Sequence, residues 1–175
     1  VPNTAFRRLT GVALSAALAT ATLAVSAPPA AAAETPSLRV LSYNAFIFSK
    51  TLYPNWGQDH RAAEIPKTSF FRGNDVVVIQ EAFDNGASDA LLRNSASPYP
   101  YQTPVVGRSK SGWDATGGSY AAATPEDGGV TILSKWPIVR KEQFVFKDAC
   151  GGDWFSNKGF AYTVLNVNGA RVHVV

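Results

Sequence analysis

Two apolar runs end in the same way, and that pairing constrains the fold more than any other feature of the chain. Leu38-Arg39-Val40-Leu41-Ser42-Tyr43-Asn44 and Asp75-Val76-Val77-Val78-Ile79-Gln80-Glu81 each read as a β-strand finishing in a polar side chain suited to a phosphate or a divalent cation. The second run is continuous Val and Ile, the pattern of a strand buried on both faces. A helical stretch lies between them, so the unit reads as strand, helix and strand, each strand closing on its polar residue.

The remaining pattern places this unit in a mixed sheet. Gln58–Phe71 reads as a helix with Ala62 and Ile65 on its inner face, kinked or started by Pro66 and closed by Gly73. Asn85–Ser95 reads as a second helix. Strands are expected at Tyr101–Gly107, Gly129–Ser134, Arg140–Lys147, Phe160–Val167 and Ala170–Val175, the last two joined by Asn168-Gly169, a strong hairpin signal. Arg108–Asp127 reads as one long Gly/Ser/Thr-rich loop, too long for an idle connection. Alternation of helices and strands early, then strands alone, predicts an α/β sandwich.

The first 33 residues stand apart. Arg7 and Arg8, an uncharged Ala/Leu/Val-rich stretch from Leu9 to Val25, and Ala31-Ala32-Ala33 ahead of Glu34 form the pattern of a secretory signal peptide, which makes 34–175 an exported domain. A transmembrane anchor is the alternative; the stretch is Ala-heavy and shorter than the roughly 20 strongly apolar residues that spanning requires. The chain carries 16 Lys and Arg against 13 Asp and Glu, and Arg7 and Arg8 account for two of the basic residues. The near-balance that remains, without a basic cluster, argues against a nucleic acid partner. Cys150 is the sole cysteine. In an exported protein it reads as half of a disulfide, as a free thiol or as a lone buried small residue.

Chemistry concentrates at few positions. Glu81 follows a buried strand, where its charge is costly unless a hard cation or another charge compensates it. Its alternative is a surface carboxylate ahead of a helix, since Asp84 and Asn85 are both N-cap types. Asn44 offers an amide to a phosphate oxygen, or simply forms a turn. Glu126-Asp127-Gly128-Gly129 is an oxygen-rich cation site or a turn before a strand. Ser156-Asn157-Lys158-Gly159 is an anion cradle or a loop with a solvated Lys. His60 reads as part of an exposed helix face and His173 as a structural strand residue. The sequence contains no nucleophile elbow, Walker loop or zinc spacing.

These segments together resemble the secreted bacterial neutral sphingomyelinases of the endonuclease/exonuclease/phosphatase superfamily. The pieces carrying the resemblance are LYPNWGQ (Leu52–Gln58), EAFDNGASDALL (Glu81–Leu92), TPEDGGV (Thr124–Val130), SKWPI (Ser134–Ile138) and SNKGFAYT (Ser156–Thr163). The resemblance implies a four-layer α/β sandwich of the deoxyribonuclease I type and a Mg²⁺-dependent phospholipase C activity on sphingomyelin at a membrane surface, with other divalent cations as substitutes and no stable protein partner. It implies that Glu81 binds the catalytic Mg²⁺ and that Asn44 supports phosphate and metal. Asn85, Glu126 and Asp127 would serve a second, peripheral metal, and Cys150 would pair with a cysteine past Val175. The expectation is that the chain is the front half of such an enzyme, truncated after its first half. The catalytic His, an Asp-x-Asn motif and the general base would then lie beyond Val175. A fragment of this kind is expected to be inactive, with the Val/Ile face of Asp75–Gln80 uncovered and the final strand left as an apolar edge. Two alternatives remain: another nuclease or phosphatase of the superfamily, and a non-catalytic lipid-binding module using the aromatics at 46 to 56.

Overall fold

The computed structural model describes residues 37–175. The signal-peptide reading of 1–33 falls outside the described residues.

Strand β1 (Val40–Ile47) leads through helix α1 (Gln58–Glu64), a 3-10 turn (Ile65–Lys67) and helix α2 (Ser69–Arg72) into strand β2 (Val76–Ala82). The helix expected over 58–71 is thus broken at Pro66, whose missing N–H cannot continue the ladder. Gly73 closes α2 with an ordinary right-handed φ of −71°, its N–H donating to Ser69 O, so no left-handed cap forms there. Helix α3 (Asn85–Ser95) starts at an Asp84 cap whose side chain accepts the Ala87 N–H.

β1 and β2 pair in parallel, β2 pairs antiparallel with β5 (Thr131–Ser134), and β5 with the short β3 (Tyr101–Gln102), giving the order β1-β2-β5-β3. The strand expected over 101–107 is cut short because Pro104 has no N–H to donate. Thr103 and Val106 still bond Ile132 O and Val130 O. A second sheet runs β4-β6-β7-β8. In it β4 (Ala115–Gly118) is parallel to β6 (Ile138–Val145), while β7 (Gly159–Val167) and β8 (Ala170–Val174) complete it antiparallel. β4 lies inside the segment read from sequence as one long loop. The β7–β8 hairpin turns on Asn168 (φ 52°) and Gly169 (φ 89°), both left-handed as a type I′ turn requires.

β2 decides the layering. Val77 and Ile79 pack with Leu133, Ala62, Ile65, Phe71, Ala87 and Leu91 under the helices. Val76 and Ile132 face the second sheet, meeting Ala161, Leu165 and Val167. The expectation that the face of Asp75–Gln80 is uncovered is therefore corrected: Val76, Val77 and Ile79 are fully buried, by helices on one side and β7 on the other. Each such side chain contributes about 1.5–3 kcal/mol of burial. β8 is indeed an edge, bonded only to β7. The described residues form a two-sheet α/β sandwich with helices on one outer face; the other outer face shows Phe144 and Phe160 to solvent.

Candidate functional site

Asn44 and Gln80 are the last matched pair of the parallel β1–β2 ladder. Beyond them both strands leave the regular pleat. β1 bulges between Asn44 and Ile47, with Phe46 at φ 53°, and β2 turns left-handed at Glu81, φ 57°. In an unbroken pleat Glu81 would follow Val77 and Ile79 onto the face packed under the helices. The left-handed residue breaks that alternation. Such a conformation costs a non-glycine residue about 1 kcal/mol or more, and the surroundings must hold it in place. Here they do: Ala82 N–H donates to Gly129 O at 2.9 Å, and Phe83 and Asp84 N–H both donate to Ile47 O, at 2.9 and 3.1 Å.

The half-buried Glu81 carboxylate has no ion-pair partner among the described residues. Asn44 is exposed, and its Oδ1 accepts the Phe46 N–H at 2.9 Å. That bond fixes which end of the amide is spoken for and leaves the NH₂ to donate. A lone carboxylate beside an amide, both at strand ends, is an all-oxygen and N–H donor set. It fits a hard divalent cation and a phosphate, with water or substrate completing the coordination.

The second group of expected ligands divides. Asn85 is exposed at the first position of α3, and Glu126 is half-buried with no ion pair among the described residues. Asp127 is buried and already engaged: Arg108 Nε donates to Oδ2 at 2.8 Å and Gly129 N–H to Oδ1 at 2.9 Å. Burial pushes its carboxyl up to about 6, while Arg108 and the Gly129 N–H oppose that rise. A cation taking Asp127 would have to share it with Arg108. Among the described residues no three His, Cys, Asp or Glu side chains converge on one point.

Arg108 is not singled out in the sequence, and Asn157 reads there only as part of an anion cradle or a loop. Arg108 reaches Asp127, Ser88 Oγ (2.6 Å) and Asp89 Oδ1 (2.7 Å), so it ties α3 to the Glu126–Asp127 loop. Asn157 is buried, and its Nδ2 donates to Gly107 O and Ala121 O, both at 2.9 Å, while Oδ1 accepts the Ala121 N–H at 3.2 Å. It clamps two loops rather than cradling an anion. The double glycine of the TPEDGG segment also finds its reason: a Cβ on Gly129 (φ 67°) would lie 2.7 Å from the Phe83 ring.

Other expected positions behave as follows. His60 is exposed on α1, and His173 is an exposed strand residue whose Nδ1 sits 2.6 Å from Tyr162 Oη, which is a structural pairing. Cys150 is exposed, which removes the reading as a lone buried residue. Lys158 is not simply solvated: its ammonium lies 4.0 Å from the Phe83 ring centroid and 3.4 Å from Asp153 Oδ1.

Residues 41–172 match the Endonuclease/Exonuclease/phosphatase family. Among curated relatives, a phospholipase C of Staphylococcus aureus is 57% identical over 138 residues, covering 79% of this chain and 42% of the relative. A sphingomyelinase C of Bacillus cereus is 52% identical over 140 residues, with the same coverage of 79% and 42%. Among solved structures, the sphingomyelinase C of Streptomyces griseocarneus superposes with a TM-score of 0.77 at 73% identity, covering 79% of this chain and 48% of that one. A S. aureus beta toxin variant with bound magnesium ions gives 0.77 at 56% identity, again over 79% of this chain and 48% of that one. The chain thus spans less than half the length of each of these relatives.

Proposed function

Because the chain belongs to the endonuclease/exonuclease/phosphatase family, we propose that it carries the Glu81–Asn44 part of the metal and phosphate site of an exported sphingomyelin phosphodiesterase. The reaction is hydrolysis of sphingomyelin to ceramide and phosphocholine at a membrane surface. The observation that carries this reading is Glu81, held left-handed at the end of a buried strand, without a cationic partner among the described residues, one residue past the register partner of Asn44. Close relatives named sphingomyelinase C and phospholipase C, and a magnesium-bound beta toxin, support the substrate class and the metal.

Glu81 would hold Mg²⁺ through its carboxylate oxygens. When bound, that ion supplies Lewis acidity toward the phosphoryl oxygens and the departing alkoxide. Asn44 orients the phosphate: with Oδ1 on the Phe46 N–H, its amide NH₂ donates to a non-bridging oxygen. Asn85 and Glu126, with Asp127 shared with Arg108, form the proposed peripheral cation set. Residues 1–33 direct export, and Cys150 is available for the disulfide implied by the family. The absence of a basic cluster after residue 33 speaks against the nuclease alternative.

The test is phosphocholine release from sphingomyelin vesicles by the protein carrying this sequence, in millimolar Mg²⁺ and then in EDTA. Release abolished by EDTA and lost in Glu81→Gln is the expected result. Mg²⁺-independent release, or full activity in that variant, overturns the reading.

A further inference from the structure

A cavity of about 620 Å³ opens beside Phe83, apart from the Glu81–Asn44 pair. One wall is the turn after Ser49, closed by Leu52 and Tyr53 N–H groups donating to Ser49 O at 3.2 and 2.9 Å. The other is the 3-10 turn Gly151–Phe155. That turn is joined to the loop before β5 by Glu126 N–H to Phe155 O and Asn157 N–H to Glu126 O, both at 3.0 Å. Backbone bonds hold both walls, so the space between them exists before any ligand arrives.

The lining is unusual in its chemistry. Rings of Phe48, Tyr53, Phe83 and Phe155 share it with the carboxylates of Glu126 and Asp153 and a single ammonium, Lys158. Phe48 lies 5.1 Å from Tyr53 and 5.8 Å from Phe83, centroid to centroid, which makes one continuous aromatic wall. Lys158 shows what such a wall holds: its ammonium rests on the Phe83 face with Asp153 beside it. Two carboxylates against one ammonium leave the lining net negative. An anion entering would meet both carboxylates, and a neutral apolar group would leave them desolvated without compensation. A bulky, weakly hydrated cation satisfies the rings and the carboxylates together.

We propose that this cavity is a subsite for the quaternary ammonium of a choline lipid headgroup lying in the membrane beside the reacting lipid. The proposal rests on the hydrolytic reading for the identity of the surface, and the rim of the cavity supports the same surface. Leu52 and Phe155 in its lining are 63% and 54% exposed, and Trp154, packed against Phe155 in the same turn, is 70% exposed, a residue type that settles at a lipid–water boundary.

The test compares choline with 3,3-dimethylbutan-1-ol, its neutral carbon analogue, by ligand-observed NMR titration of the whole chain. It is run in EDTA, because Glu126 is also a proposed cation ligand and must face the cavity alone. Choline is expected to bind at least about threefold to tenfold more tightly than the neutral analogue, the range of a cation over aromatic faces. Tyr53→Leu and Phe155→Leu, which keep apolar bulk and remove the rings, weaken choline by a few-fold and leave the analogue unchanged. Lys158→Gln, which removes the resident cation, tightens choline. Equal binding of the two ligands, no choline binding, or weaker choline binding in Lys158→Gln overturns the subsite. No hydrolysis is measured in EDTA, so loss of the subsite leaves the hydrolytic reading standing, and failure of hydrolysis leaves the choline result standing.

Discussion

Asn44 and Gln80 oppose each other at the final rung of the parallel β1–β2 ladder, and within two residues of that rung each strand adopts a left-handed φ, at Phe46 and at Glu81. The two distortions fall at the same level of the sheet. They bring Asn44 and Glu81 to one edge, the one with its amide anchored to Phe46 and the other with its carboxylate in no ion pair among the described residues.

The left-handed backbone at Glu81 sets its proposed metal-holding role against stability. Glu81→Gly relieves the strain of a Cβ at φ 57°, partly offset by the greater freedom glycine has when unfolded. The folded state is expected to be unchanged or more stable by up to about 1 kcal/mol in urea unfolding. A loss of stability beyond 1 kcal/mol would show that the carboxylate makes a structural contact.

Asp84 links the aromatic loop to α3. Its Oδ2 accepts Lys50 N–H at 3.0 Å, and its Oδ1 accepts the Ala87 N–H at 2.9 Å. Burial acts to raise its carboxyl, but the two N–H donors and the Lys50 ammonium outweigh burial and hold it below the ordinary carboxylate range. A depressed folded value means that the stabilisation is fully present above the unfolded value of about 3.9 and is lost as pH falls through the folded one. Asp84→Ala should cost about 1–2 kcal/mol at pH 7, and Asp84→Asn much less, because Asn caps well. Melting curves from pH 7 to pH 2.5 check this: the gap between Asp84→Ala and the parent should narrow only at the acid end.

The buried Asn157 donates one buried hydrogen bond to Gly107 O and makes two part-buried ones with the exposed Ala121 backbone. Asn157→Ala leaves the buried Gly107 carbonyl unpaired, while water can reach the Ala121 groups, so a loss of about 1–3 kcal/mol is expected. Urea unfolding measures it. A loss below 1 kcal/mol would mean that water replaces the amide fully.

What could be read in advance followed how local each signal was. The Val/Ile run at 76–79, the helix from Asn85 to Ser95 and the Asn168-Gly169 turn declare themselves through period, capping and turn residues, and all three are present. The short β4 hides among glycines because its pairing with β6 is non-local. Burial of both faces of β2 was missed because β7 lies some 80 positions later and its apolar alternation does not say which face it covers. At the site, Glu81 and Asn44 were legible as polar ends of apolar runs. Arg108 and the clamping role of Asn157 were not: a single Arg or Asn in a loop gives no sign that its partners lie 19 to 50 positions away.

The most direct measurement is calorimetric titration of Mg²⁺ into the parent protein, Glu81→Gln and Asn44→Ala. With Glu81 as the metal-holding carboxylate and Asn44 acting on phosphate, Glu81→Gln loses the binding isotherm at the central site, while Asn44→Ala keeps it within a few-fold. Unchanged Mg²⁺ binding in Glu81→Gln would contradict the assignment of the site.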